Sequence, residues 1–172
     1  QIAFLASGAL WLASLDSGRP RLVADGVLSS LMWTDSSNLV YVVHPYTVLG
    51  FSCVDDSRSL LFTDPRRESG RLSQLSGDGR LLVYSRTNEV CFADLTQQKV
   101  LHSFPIAAEL SDVCWSDRGE FCLAVTYFTG PDGADRLFVY DRANGTFTEI
   151  TSRIQIGNEG SSERVFHLEG WG

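Results

Sequence analysis

The feature that most constrains the fold is a unit of four short strands that recurs along the chain. Its clearest copy covers residues 109–151, where LSDVCWS, EFCLAVTYF, DRLFVYD and TFTEIT read as four short strands. SDRG and Asn-Gly turns separate these segments, and Asn-Gly between alternating segments is a strong β-hairpin signal. No window shows a sustained period of 3.6 residues, so the sequence predicts an all-β protein with almost no helix.

An aspartate at the end of the third strand of the unit marks the repeat. Asp16, Asp55, Asp94 and Asp141 are 39, 39 and 47 residues apart, and an apolar residue stands four positions before each of them. We assign all four to turns, because an aspartate carboxylate accepts hydrogen bonds from backbone N–H groups one or two residues later. A period of about 40 residues built from four short strands is typical of a β-propeller blade.

The chain therefore divides into about four blades, and residues 1–172 are a single β-propeller domain or a fragment of one. The first blade shows only three strands (IAFLA, ALWLASL and PRLVA), whereas the tail RIQIGNEGSSERVFHLEGWG is expected to carry one or two further strands. Three arrangements stay open: a complete small ring, a ring whose blades are shared by a homodimer, and part of a larger propeller. We expect the tail strand at residues 165–171 to pair with IAFLA, within one chain or between two, because this pairing removes an exposed sheet edge.

Composition limits the classes of function. The net charge is −7 and the isoelectric point is about 4.8, so the chain lacks the basic field that nucleic-acid binding needs. No apolar run reaches the ~18 residues of a membrane-spanning helix. The cellular compartment stays unassigned.

Motifs for catalysis, metals and cofactors are absent from the sequence. The four cysteines include no C-x-x-C pair and are predicted to be free thiols within strands. His44, His102 and His167 lie 58 and 65 residues apart, which excludes an H-E-x-x-H zinc motif. There is no P-loop, no G-x-G-x-x-G and no G-x-S-x-G elbow. We therefore predict no catalytic residue, no metal ligand and no cofactor.

The segment GDGRLLVYSRTNEVCFADLTQQKVLHSF resembles WD-repeat and TolB-like propeller repeats. SGDG and SDRG stand where TolB-like repeats carry Ser-Pro-Asp-Gly, and ADL with KVL stands where WD repeats carry Trp-Asp and the following strand. The Trp-Asp and Gly-His dipeptides and the turn prolines are missing. The resemblance covers about four repeats and implies a propeller. Similar repeats also form the propellers of prolyl oligopeptidases and dipeptidyl peptidases, which gate a separate hydrolase domain not found in these 172 residues.

Binding residues are expected on one face of such a propeller. Connections from the second to the third strand, and from the fourth strand to the next blade, emerge on the same side, which we call the loop face; the opposite hairpin face carries only tight turns. Connecting segments often carry function, and Tyr and Arg are common anchors at interfaces. The candidate binding residues are His44, Tyr46, Arg66, Arg67, Arg86, Asp132 and Asp135.

We therefore predict a non-catalytic interaction module or scaffold that binds a protein partner. The alternative is the propeller portion of a larger hydrolase or lyase whose catalytic part lies outside this sequence. A binder of a small ligand or sugar in the central channel is the third hypothesis.

Overall fold

A computed structural model of the chain describes residues 1–16, 18–43, 46–66, 72–106, 109–127 and 135–153. These ranges hold fifteen strands and one short 3-10 helix, Thr151–Arg153. The strands are β1 Ile2–Ala6, β2 Ala9–Ala13, β3 Pro20–Asp25, β4 Val27–Trp33, β5 Asn38–Val43, β6 Thr47–Ser52, β7 Arg58–Thr63, β8 Ser73–Leu75, β9 Leu81–Arg86, β10 Glu89–Asp94, β11 Lys99–Pro105, β12 Glu109–Trp115, β13 Phe121–Tyr127, β14 Arg136–Asp141 and β15 Thr146–Glu149.

The strands form four antiparallel sheets, each a meander of consecutive strands. Blade 1 has the order β1-β2-β3, and blades 2, 3 and 4 have four strands each, β4 to β7, β8 to β11 and β12 to β15. The first strands of blades 2 and 3, β4 and β8, contact each other, as the innermost strands of a propeller do. The prediction of an all-β fold of about four blades is confirmed, including the three strands of blade 1.

Side chains stabilise the hairpin turns by accepting hydrogen bonds from backbone N–H groups. The Oγ of Ser76 accepts a hydrogen bond from the N–H of Leu81 at 2.9 Å, and the Oγ of Ser116 accepts one from the N–H of Phe121 at 3.0 Å. Asp94 Oδ1 accepts from the N–H groups of Thr96 and Gln97 at 2.8 and 3.0 Å. These bonds satisfy backbone donors that would otherwise be left unpaired at the strand ends.

The aspartate column of the repeat is in register only in blades 3 and 4. Asp94 and Asp141 pair with the first residues of the second strands, Leu81 and Phe121. In blade 2 that place is held by Ser52, which pairs with Asn38, and its hydroxyl accepts from the N–H two residues later. Ser14 makes the same bond to the N–H of Asp16 in blade 1. The expectation that Asp16 and Asp55 are equivalent to Asp94 is therefore wrong.

Each blade has two faces. We call the one on the side of the next blade its leading face and the one on the side of the preceding blade its trailing face. In blade 3, Leu81, Val83 and Phe92 lie on the leading face and pack against blade 4, whereas Leu82 and Tyr84 lie on the trailing face and pack against blade 2. Three hydrophobic clusters fill the junctions between blades 1 and 2, 2 and 3, and 3 and 4. The core of the described residues is thus a series of layers between neighbouring sheets.

An arginine and an aspartate tie each pair of neighbouring blades. Arg21 of β3 lies 2.6 Å from Asp56 in the turn after β6, and Arg142 lies 3.7 Å from Asp94 across the junction of blades 3 and 4. The pair between blades 2 and 3, Arg86 with Asp64, is buried. Arg21 and Asp56 are both exposed, and Arg142 is partly exposed although Asp94 is buried. The fully buried pair of Arg86 and Asp64 is therefore expected to matter most for stability.

Aromatic rings dominate the junction of blades 3 and 4. The ring of Phe92 stacks on Tyr140 with the centroids 3.7 Å apart, and Trp115 and Phe147 meet Phe92 edge-on. His102 Nδ1 shares a hydrogen bond of 2.9 Å with the Tyr140 hydroxyl. Burial raises the pKa of Tyr140 to about 12, so the phenol stays protonated at neutral pH.

The cysteines are free thiols in the structure. Cys122 pairs with Trp115 and Cys114 with Leu123, so the two cysteines lie on opposite faces of the β12–β13 hairpin. Burial raises the pKa of the Cys122 thiol well above its usual value, which keeps it protonated and unreactive. Within the residues that the structure describes, no helix is long and apolar enough to cross a membrane.

Candidate functional site

The loop face is organised around a buried ion pair between blades 2 and 3. Asp64 follows β7, and Arg86 ends β9, 22 residues later in the sequence. Arg86 donates from Nε to Asp64 Oδ2 at 2.7 Å and from Nη2 to Asp64 Oδ1 at 2.6 Å. Both side chains are almost entirely inaccessible, 3% exposed for Arg86 and 0% for Asp64. A two-point pair of this kind holds the guanidinium in one orientation.

Further hydrogen bonds extend this pair to the surface. The backbone N–H of Arg66 donates to Asp64 Oδ1 at 2.9 Å, and Arg66 Nη1 lies 3.1 Å from both carboxylate oxygens of Glu89. Glu89 also accepts from Arg86 Nη1 at 3.3 Å and from the Ser103 hydroxyl at 2.9 Å. Arg66 is the exposed end of the network, and its charge is already shared with a carboxylate.

The pKa values follow from these contacts. Burial raises the pKa of the Asp64 carboxyl, but the hydrogen bonds from Arg86 and from the Arg66 N–H outweigh it, and the pKa lies below the usual value. The hydrogen bond from Ser103, followed by those from Arg66, lowers the pKa of Glu89. Both carboxylates are therefore ionised at neutral pH, and neither is placed to act as a general acid or base near pH 7.

Two of the predicted anchors are not surface residues. Tyr46 has a positive φ of 79°, which turns its ring inward to lie 4.7 Å from Tyr84, and its side chain is fully buried. Arg86 is buried because Asp64 and the Tyr84 hydroxyl, 3.1 Å from its Nη2, take up its donors. The premise that both side chains are exposed is wrong, and each serves the junction between blades 2 and 3.

The other candidates are divided between exposed, half-buried and undescribed positions. Arg66 is exposed, as predicted, and Asp135 is half-buried just before β14. His44, Arg67 and Asp132 lie outside the described residues. The structure therefore brings Arg66 and Arg86 together around Asp64 and Glu89, while Asp135 belongs to blade 4.

A second site lies where the first strands of three blades converge, and none of its lining residues is among the predicted binding residues. We call it the axial cleft; it has a volume of about 480 Å³ and lies nearer the hairpin face, since it includes Gly77 of the β8–β9 hairpin and Trp115 at the end of β12. Its lining residues are Ser30, Leu31, Met32, Leu72, Ser73, Gln74, Leu75, Gly77, Cys114 and Trp115.

Hydrogen bonds between strands of different blades fix the walls of the axial cleft. The Ser30 hydroxyl of β4 donates to the Ser73 carbonyl of β8, and Trp115 Nε1 of β12 donates to the Gln74 carbonyl at 3.4 Å. The short strand β8 is thus held on both sides. The first strands of the blades mix polar and apolar residues, and this pattern is the feature of the sequence that could have indicated the cleft.

The chemistry of the axial cleft is neutral. Among its described lining residues the only ionisable side chain is the Cys114 thiol, and hydroxyl, amide and indole groups supply the polarity. Within the described ranges no group of three or more His, Cys, Asp or Glu residues is arranged to hold a metal ion. The arrangement can bind an uncharged group through van der Waals contact and a few hydrogen bonds.

Comparison with known proteins supports the fold. No protein-family model matches the chain, and no curated protein sequence matches it. Among solved structures, the tricorn protease matches 86% of this chain over 15% of its own, with a TM-score of 0.67 and 13% identity. The hydrazine synthase of Kuenenia stuttgartiensis matches 83% of this chain over 48% of its own, with a TM-score of 0.64 and 14% identity. The putative TolB of Agrobacterium tumefaciens matches 83% over 56%, with a TM-score of 0.58 and 15% identity.

These similarities, together with the four radial sheets, define the chain as a β-propeller domain. The two TolB structures among the matches share this propeller fold with the chain, as the tricorn protease and hydrazine synthase do. The identities, at 13 to 15%, carry the fold alone. The chain spans about half the length or less of the first two structures it matches.

Proposed function

We propose that this propeller is a non-catalytic interaction module that receives an uncharged, extended segment of a protein partner in its axial cleft. The observation that carries the proposal is the neutral lining of the cleft, held rigid by bonds between β4, β8 and β12. Acid–base chemistry needs a titratable group within hydrogen-bond reach of the substrate, and the described lining offers only a thiol. A preformed cleft reduces the ordering cost of binding.

The loop face is proposed as a second contact region. Arg66 is its described and exposed anchor, and its guanidinium presents donors beyond those used by Glu89. His44, Arg67, Asp132 and Asp135 stay proposed contacts from the same side. A partner that enters the cleft from the hairpin side would not touch these residues, so the two regions are separable by mutation.

A selection of random linear peptides on the immobilised chain tests the proposal. We expect selected peptides to bind the wild type and to lose about tenfold or more in affinity with Gln74→Arg, which places a charge in a neutral cleft. Leu60→Arg, on the exposed outer strand β7, is the matched control and should bind normally. Arg66→Glu reports on the loop face.

Peptides that bind Gln74→Arg as well as they bind the wild type would contradict the axial site. Loss of binding with Arg66→Glu alone would move the contact to the loop face. A selection that yields no peptide above background would contradict the proposal as a whole.

A second candidate function is the propeller portion of a larger enzyme. It is favoured because two of the matched structures carry the names of enzymes, hydrazine synthase and tricorn protease, of which the match covers 48% and 15%. Coding sequence on either side of these residues that contains a hydrolase motif such as G-x-S-x-G would decide for it.

A further inference from the structure

Blade 1 leaves the inner part of its trailing face uncovered. Ile2 is 50% exposed and Phe4 is 37% exposed, beside the half-buried ring of Trp11. Phe4 pairs with Trp11 as Tyr41 pairs with Leu49 and Tyr84 with Cys91, so these positions are equivalent. Tyr41 and Tyr84 have no exposed surface, because the preceding blade covers them. In the described part of the chain, blade 1 therefore carries the same apolar face without the sheet that covers it in blades 2 and 3.

Blade 4 offers the complementary surface. On its leading face Phe121 is 39% exposed, and Leu123 and Val139 are half-buried. The equivalent residues of blade 3, Leu81, Val83 and Phe92, are completely buried against blade 4. Leu137 and Val125, at the loop end of the same face, are already buried, so the part that can accept a partner is the half nearer the hairpin face.

We propose that a second copy of this chain docks the leading face of its blade 4 on the trailing face of blade 1. The template is the junction of blades 3 and 4, where Leu81, Val83 and Phe92 meet Cys122, Ala124 and Tyr140. In the proposed contact, the equivalent residues Phe121, Leu123 and Val139 of one copy meet Ile2, Phe4 and Ala13 of the other.

The substitutions between the two junctions balance in volume. Ala13 is smaller than the equivalent Tyr140, and Val139 is smaller than Phe92. Ile2 is larger than the equivalent Cys122 and Phe4 is larger than Ala124. Phe121 is larger than Leu81, and Leu123 is one carbon larger than Val83. A volume-conserving exchange of this kind preserves a packed core, so the two faces suit each other as the existing pairs of faces do.

The contact joins two different surfaces, so it is head-to-tail. Among the described residues of one chain these parts of the two faces stay exposed, and a second copy covers them. Such an interface closes into a ring of two chains or continues as a filament, depending on the rotation between copies. Where the contact closes with two copies, the blades of both chains form one ring, which is one of the arrangements expected from the sequence.

Sedimentation velocity over a range of concentrations tests the proposal. The wild type should exceed its monomer mass of 19.0 kDa as the concentration rises. Phe4→Arg and Phe121→Arg should each stay monomeric, because each variant removes one face from every possible contact. Leu60→Arg, an exposed leucine on β7 outside both faces, should associate like the wild type.

Mixing the two variants gives the decisive result. Phe4→Arg keeps blade 4 intact and Phe121→Arg keeps blade 1 intact, so an equimolar mixture should form a heterodimer. Circular dichroism checks that each variant is folded, and Ile2→Arg replaces Phe4→Arg if it is not. A wild type that stays monomeric, a mixture that does not associate, or variants that associate like the wild type would each overturn the proposal.

Discussion

At the scale of single residues, the Asp64–Arg86 pair is the contact on which the loop face depends. It joins the end of blade 2 to blade 3, and with Arg66 and Glu89 it forms one hydrogen-bonded network. Removal of one partner would leave the other charge buried without compensation, which is far more costly than the loss of an exposed pair.

We expect Asp64→Asn and Arg86→Met each to lower the free energy of unfolding by about 3–5 kcal/mol at pH 7. The double variant should lose much less than the sum of the two. The pKa of Asp64 is lowered in the folded protein, so its contribution is present above the unfolded-state pKa of about 3.9 and is lost as the pH falls below it. The cost of Asp64→Asn should therefore shrink in acid.

Urea unfolding at several pH values measures both effects. Glu149→Gln is the control, because its contact with Arg136 is 3.5 Å long and half-exposed; it should cost less than about 1 kcal/mol. Additive effects of the two core variants, or a cost of Asp64→Asn that stays constant below pH 3.9, would contradict the prediction.

The roles of individual residues were the hardest feature to predict from the sequence. Arg86 and Tyr46 were expected on the surface because they stand in the predicted connections between second and third strands. Arg86 is buried by a partner 22 residues away, and Tyr46 by a backbone with positive φ. Neither the long-range partner nor the reversed φ is encoded in the local pattern of polar and apolar residues. Arg66, whose side chain stays exposed, was placed correctly.

At the scale of strands and turns, more of the structure could be predicted from the sequence than at the scale of single residues. The strands of blade 1 and the hairpins at SGDG and SDRG follow the alternation and turn residues directly. The repeat register failed in blades 1 and 2 because a serine hydroxyl accepts the same turn hydrogen bond as an aspartate. In blades 1 and 2 the aspartate of the predicted repeat therefore lies two or three positions after the residue that is structurally equivalent to Asp94.

Gly145 and Gly8 allow the cost of a close contact to be separated from the cost of backbone strain. Both glycines have positive φ, 61° and 71°. A Cβ at Gly145 would lie 2.7 Å from His102 Nε2, whereas a Cβ at Gly8 would meet nothing within 4 Å. The His102 ring is held by its hydrogen bond to Tyr140, so it cannot move away freely.

We expect Gly8→Ala to cost about 1–2 kcal/mol of stability from the left-handed backbone alone. Gly145→Ala should cost clearly more, because it also displaces His102 from Tyr140. Chemical denaturation of both variants measures the difference. Equal costs would show that His102 yields without penalty and that its bond to Tyr140 contributes little.

At the scale of the whole molecule, the propeller and its approximate number of blades were predictable from the repeat. A binding site in the central channel was one of the hypotheses, but the residues of the axial cleft were not predictable, because hydrogen bonds between strands of three blades bring its walls together. The order of the blades around an axis places Ser30, Gln74 and Trp115 side by side, although the sequence separates them by about 40 residues each. Loop length alone pointed to the opposite face.

The tail strand supplies a prediction at this scale. Residues 165–171 lie outside the described residues, and their pairing with β1 stays a prediction. Deletion of residues 160–172 should expose the β1 edge and cause aggregation or a large loss of stability. Light scattering and thermal melting compare the truncated and full chains. A truncated chain that stays monodisperse and melts at the same temperature would refute the pairing.

The layered packing of meander sheets has a consequence for how the molecule opens. Each blade is a meander of consecutive strands and is stabilised by its neighbours, so the chain behaves as a short one-dimensional array. The junction of blades 2 and 3 has a buried ion pair, and that of blades 3 and 4 has stacked rings. Blade 1 has three strands and shares one described junction. Local unfolding should therefore begin at blade 1 and leave the other three blades intact as a cooperative unit.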